Sequence, residues 1–81
     1  MHIKIEDQDT GDTSVLCIDR EAKTAEILAL VPGHTNTLIQ LAQSVGAVRL
    51  AMIADATYGS KALQPHGFRV ATNLSVYVKE F

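Results

Sequence analysis

The alternation of apolar and polar positions along the chain predicts six strands. At the amino terminus Ile3 and Ile5 share one side, which is typical of a half-buried strand over residues 1–7. The same reasoning predicts the remaining strands at residues 13–19, 24–31, 48–54, 69–71 and 75–80. The strands 24–31 and 48–54 are apolar on both faces, so we expect them to be central strands covered on both faces.

Two stretches have helical spacing instead. The first follows Pro32 and Gly33, and one face of it collects Leu38, Leu41, Ala42 and Val45. We expect a helix over about residues 35–45, capped by Thr35 or Asn36 and followed by Gly46 in the left-handed conformation. Asp55 is expected to cap a shorter helix over about residues 56–63, which Pro65 ends.

The element order is therefore β-β-β-α-β-α-β-β. This order predicts an α/β (α+β) domain over residues 1–81 with a mixed, mostly antiparallel sheet. Strands 24–31 and 48–54 should be parallel neighbours, because the helix between them makes a crossover connection.

Composition and charge narrow the function classes. The chain has 81 residues, 47% hydrophobic and 20% charged, with a formal net charge of −2, which is typical of a globular domain. Its seven Lys and Arg are scattered, so no nucleic-acid partner is expected. The apolar run Ile27–Pro32 is too short to span a bilayer. With Cys17 as the single cysteine, we expect a cytoplasmic protein without a membrane partner.

Three segments resemble the GNAT superfamily of acyl-CoA N-acetyltransferases. The stretch from Ile27 through Val31 to Pro32-Gly33 resembles the central strand and glycine-containing loop of that family. Gly67-Phe68 resembles its Gly-Phe signature after the second helix, and Leu74–Phe81 its closing strand. The chain looks like a minimal, degenerate member that lacks the family's first strand and first two helices.

The resemblance implies a cofactor, acetyl-CoA or CoA, and direct acyl transfer to an amine without a covalent enzyme intermediate. The backbone of Leu30 and Val31 would pair with the pantetheine arm. Backbone N–H groups of the loop and helix start would hold the pyrophosphate, and these belong to Gly33, His34, Thr35 and Asn36. Glu26 occupies the central strand, where some family members keep a carboxylate general base.

Three positions depart from the family pattern. The glycine motif's Arg or Gln position falls on Leu30, the tyrosine that often acts as general acid falls on Leu63, and an asparagine position falls on Ala56. These departures favour a rival function, a catalytically inactive GNAT-like module for interaction or assembly. Its partner would be a second copy of the chain, paired through edge strands at Met1–Asp7 and Ser75–Phe81. A third interpretation is an unrelated α/β binding domain.

Each candidate residue also has a simpler explanation. The loop at Gly33 is also a plain strand-to-helix turn, and Glu26 a solvated carboxylate. His34 and His66 are acid–base or metal-ligand candidates, but loop positions favour exposed histidines and no second ligand stands at metal-like spacing. The remaining candidates are Cys17 as a nucleophile or a buried strand residue, and Tyr58 and Ser60 as pocket or surface residues.

Overall fold

Six strands form one mixed sheet in the computed structural model, which describes residues 1–71 and 75–81. The protein is a small α+β domain. The strands are β1 (His2–Glu6), β2 (Thr13–Asp19), β3 (Thr24–Ala29), β4 (Arg49–Ile53), β5 (Arg69–Val70) and β6 (Val76–Glu80). Each of the predicted strands is confirmed. The turn predicted at Thr72-Asn73 lies outside the described residues.

The strands lie in the order β1-β2-β3-β4-β6-β5. β3 and β4 are parallel neighbours, as predicted, and the other neighbouring pairs are antiparallel. One expectation about the edges is wrong. The segment Ser75–Phe81 does not form an edge, because β6 pairs with β4 on one side and with β5 on the other. The edges of the sheet are β1 and β5.

Two helices follow the central strands. Helix α1 (Thr35–Ser44) begins after His34, whose side chain makes no capping bond, so the expectation that Thr35 or Asn36 caps it is wrong. Helix α2 (Ala56–Tyr58) begins as predicted, with Asp55 Oδ1 accepting a hydrogen bond from the Tyr58 N–H. The chain continues through a π-helical turn and a 3-10 turn that contains Pro65.

The core lies between the helices and one face of the sheet. Strand residues of this face pack against Leu38, Ile39 and Ala42 of α1 and against Leu63 and Phe68; they are Leu16, Ile18, Ala25, Ile27, Leu50, Met52 and Tyr77. The opposite face, here called the open face, carries no helix from the described residues. The expectation that β3 and β4 are covered on both faces is therefore wrong, and Leu28 and Ile53 remain 51% and 66% exposed.

Gly59 gives the segment after α2 its close contact with the sheet. The ring of the buried Tyr77 occupies the space that a β-carbon at this position would need. A Gly59→Ala substitution should therefore lower the free energy of unfolding by about 1–3 kcal/mol through overpacking. Urea unfolding measures this change, with Lys61→Ala, an exposed neighbour, as the control. Equal stability of the two variants would contradict the contact.

Candidate functional site

A β-bulge lies where β3 leaves β4. The last residue pair between these parallel strands is Ile27 with Met52. On the other side of β3, Leu16 of β2 faces Ile27 while Val15 faces Ala29, so Leu28 is an extra residue on β3. Such a bulge bends the strand that contains it. The end of β3 consequently stays paired with β2 but has no paired residue in β4.

The Ser14 hydroxyl ties the end of β3 to the start of α1. Its Oγ accepts a hydrogen bond of 2.8 Å from the Val31 N–H and lies 2.9 Å from Nδ1 of His34. Ser14 is fully buried. One hydroxyl can serve both partners, because it has one donor and two acceptor sites. The bond from the Val31 N–H to Ser14 also explains why β3 ends at Ala29, two residues before the predicted end.

Sequence reasoning missed Ser14. The signal was present, because Ser14 takes the helix-side position of a strand whose other residues on that side, Leu16 and Ile18, are apolar core residues. A hydroxyl at such a position must find a hydrogen-bond partner inside the protein.

The loop between β3 and α1 collects most of the predicted cofactor-binding residues. Gly33 adopts a left-handed conformation with φ of 94°, and His34 starts α1. Thr35 and Asn36 belong to the first helical turn, whose N–H groups have no acceptor inside the helix. Nδ1 of His66 donates to Asn36 Oδ1 at 3.1 Å, which brings a second histidine to this turn.

Three sequence expectations change here. The Val31 N–H is used by Ser14, and the Val31 carbonyl accepts from the His34 N–H at 3.0 Å, so Val31 is a poor partner for a ligand arm. His34 and His66 are half-buried and hydrogen-bonded rather than exposed. Cys17 is half-buried rather than fully buried.

Glu26 lies apart from this loop, on the open face. It faces Cys17 of β2 and Ala51 of β4, and it contributes to a shallow depression of about 430 Å³. Within residues 1–71 and 75–81 its carboxylate is half-buried and makes no ion pair. The loop continues β3 beyond its carboxyl end, so the structure places Glu26 and the loop at successive points along one strand.

The segment after α2 provides no general acid at Leu63, the position where the GNAT family often has a tyrosine. Leu63 is fully buried in the core, and Ala56 is an exposed residue of α2. Tyr58 is half-buried and packs against the core, and this burial raises the pKa of its phenol above the ordinary 10.0. The Tyr58 phenol is therefore neutral at physiological pH.

Comparisons with family models, curated proteins and solved structures found no match to this chain. In the described residues no helix has the length and apolar character needed to cross a membrane. Those residues also contain no cluster of three or more His, Cys, Asp or Glu side chains that would hold a metal ion.

The Ser14 bonds make a direct prediction about stability. Ser14→Ala leaves the Val31 N–H without its buried partner, so the free energy of unfolding should fall by about 1–3 kcal/mol. Ser60→Ala is the matched control, since that exposed hydroxyl bonds the nearby Thr57 carbonyl three residues earlier. Urea unfolding of both variants measures the difference. A loss no larger for Ser14→Ala than for the control would show that the hydroxyl does not hold the loop.

The raised pKa of Tyr58 predicts how stability changes in alkali. Because the folded protein disfavours the phenolate, the contribution of Tyr58 is fully present below the unfolded pKa near 10 and is lost as pH rises through the higher folded pKa. Unfolding measured between about pH 8 and 11 should show a steeper decline for the wild type than for Tyr58→Phe. Parallel curves for the two proteins would contradict the burial effect.

Proposed function

We propose that this protein is a minimal GNAT-like N-acetyltransferase that binds acetyl-CoA, or another acyl-CoA, where β3 separates from β4. The observation that carries the proposal is the Leu28 bulge, which directly follows the last β3–β4 pair and leads into the loop before α1. The β-β-β-α-β-α-β-β order and the parallel β3–β4 pair are also what the resemblance implies.

The backbone after the bulge suits an extended ligand arm. Ala29 is paired with Val15 on the β2 side, and from Leu28 onward β3 has no paired residue in β4. A pantetheine arm contains amides that can pair with a strand, as an added strand would. The contact would run from Leu28 to Leu30, since Val31 already uses both of its backbone groups.

The start of α1 suits the pyrophosphate. His34 gives the helix no side-chain cap, so N–H groups of Thr35, Asn36 and Thr37 remain available to an anion. The helix dipole adds a partial positive charge at the same place. Gly33 supplies the left-handed turn that brings the strand end to the helix start.

Bound acetyl-CoA would supply a thioester. An amine would attack its acyl carbon, so that the C–N bond forms as the C–S bond breaks and the thiolate leaves. The chain contributes N–H groups near the Leu28 bulge, which would polarise the acyl carbonyl. Glu26, two residues before the bulge, would accept the proton that the amine loses. Because Leu63 replaces the family's tyrosine, the leaving thiolate would take its proton from water.

One observation favours the second candidate, an inactive module for interaction or assembly. The open face leaves Leu28 and Ile53 half or more exposed, which is unusual for large apolar residues of central strands. A second copy of the chain would cover them, or would pair along the edge strand β1. Sedimentation velocity tests the inactive module, because that candidate requires a stable dimer and the acetyltransferase does not.

A charge placed in the first turn of α1 tests cofactor binding. Thr37→Glu should raise the melting temperature of the free protein slightly, because a carboxylate at a helix start is worth about 0.3–1 kcal/mol. The same carboxylate should repel the pyrophosphate and reduce the thermal shift caused by acetyl-CoA or CoA. These two changes have opposite signs, so loss of folding cannot imitate them.

The control for Thr37→Glu is Gln40→Glu, an exposed position on the same helix with the same added charge. It lies beyond the first turn, so it should change cofactor binding less. Wild-type protein that stays folded but shows no thermal shift at millimolar acetyl-CoA or CoA would overturn the proposed activity and favour the inactive module.

A further inference from the structure

The depression on the open face carries charged side chains of both signs, with Asp19 on one side, Arg49 on the other and Glu26 on the strand between them. Asp19 of β2 and Arg49 of β4 lie in one row of the sheet, on either side of Thr24 in β3. Their α-carbons are therefore separated by two strand spacings, about 10 Å. Glu26 lies two residues further along β3 and adds a second carboxylate. The floor between them has short side chains, those of Cys17, Thr24 and Ala51.

Neither Asp19 nor Glu26 forms an ion pair among the described residues. Asp19 uses Oδ1 to accept a hydrogen bond of 3.0 Å from the Ala22 N–H, a neutral donor. Glu26 makes neither a hydrogen bond nor an ion pair there. Two carboxylates beside one concave surface would bind an ammonium group favourably.

Arg49 belongs to a cluster that carries surplus positive charge. Nη2 of Arg49 and Nη2 of Arg69 lie 3.3 and 3.1 Å from the same Glu80 oxygen, Oε1. Two guanidinium groups thus share one carboxylate, and a net charge of about +1 remains. Arg49 alone of these three residues lines the depression, and its fork of donors suits a ligand carboxylate.

We infer that this depression binds a small zwitterionic amine of the α-amino-acid type. Its ammonium group lies between Asp19 and Glu26, and its carboxylate accepts hydrogen bonds from Arg49. The short floor residues leave space for a compact ligand, and the volume of about 430 Å³ accommodates one.

The place of this ligand along β3 suits it to be the acceptor amine of acyl transfer. This assignment rests on the proposed function. Glu26 and Leu28 are two residues apart, which is about 7 Å along a strand. An amine held beside Glu26 therefore lies next to the bulge where the acyl carbonyl would be polarised. Arg49 then becomes a specificity-determining residue that selects acceptor amines carrying a carboxylate.

Binding is tested without any CoA present. Titration of the folded protein with L-alanine, ethylamine or propionate, followed by amide shifts in ¹⁵N-HSQC spectra, separates the two ends of the ligand. We expect L-alanine to shift the amides of Cys17, Thr24 and Ala51, with ethylamine and propionate binding at least about tenfold more weakly. Arg49→Gln should weaken L-alanine binding by about tenfold or more.

Arg69→Gln is the charge-matched control, because it removes the same formal charge from the Glu80 cluster but leaves the Arg49 donors that line the depression. It should weaken L-alanine binding less than Arg49→Gln does. A dispersed spectrum shows that each variant is folded. Ethylamine binding as tightly as L-alanine, no L-alanine binding, or equal effects of the two arginine variants would each overturn the inference.

The L-alanine titration and the acetyl-CoA binding experiment can fail independently. Acetyl-CoA binding without L-alanine binding would remove this acceptor site and leave the proposed activity standing. L-alanine binding without acetyl-CoA binding would keep the site and remove its role in acyl transfer.

Discussion

The parallel pairing of β3 with β4, and its end at the Leu28 bulge, is the constraint on which the rest of the arrangement depends. Up to Ile27 the two strands share a ladder that places Glu26 on the open face and Ile27 in the core. Beyond it β3 follows β2, and the Ser14 hydroxyl holds its continuation at Val31 and His34. The strand end, the loop and the α1 start therefore meet at one place.

A single helical layer makes the two faces of the sheet chemically different. The helix-side face is a closed apolar core built from strand residues, α1, Leu63 and Phe68. The open face combines exposed apolar side chains with charged ones, and its depression lies on the strands that also form the bulge. Among the described residues helices cover only the other face, so the open face and the strand ends are surfaces that a ligand or partner can contact.

Local periodicity was enough to predict the strands, α1 and the Asp55 cap, because each is set by neighbouring residues. Local periodicity failed where contacts between distant parts of the chain determine which side chains are covered and which strands pair. Leu28 and Ile53 are apolar, but only the position of the helices determines whether they are covered. Nothing near Ser75–Phe81 reveals that β5 pairs on its outer side. The position of Gly33–Asn36 between β3 and α1 follows from the local sequence, whereas the role of Ser14 depends on a bond across 17 positions.

Backbone amide shifts on adding CoA to the ¹⁵N-labelled protein test the central claim most directly. Binding at the strand end predicts shifts at Ala29 and Leu30 together with Gly33, Thr35 and Asn36, while amides of β1 stay unchanged. Absence of shifts at millimolar CoA, or shifts confined to the open-face depression, would contradict a cofactor site where β3 leaves β4.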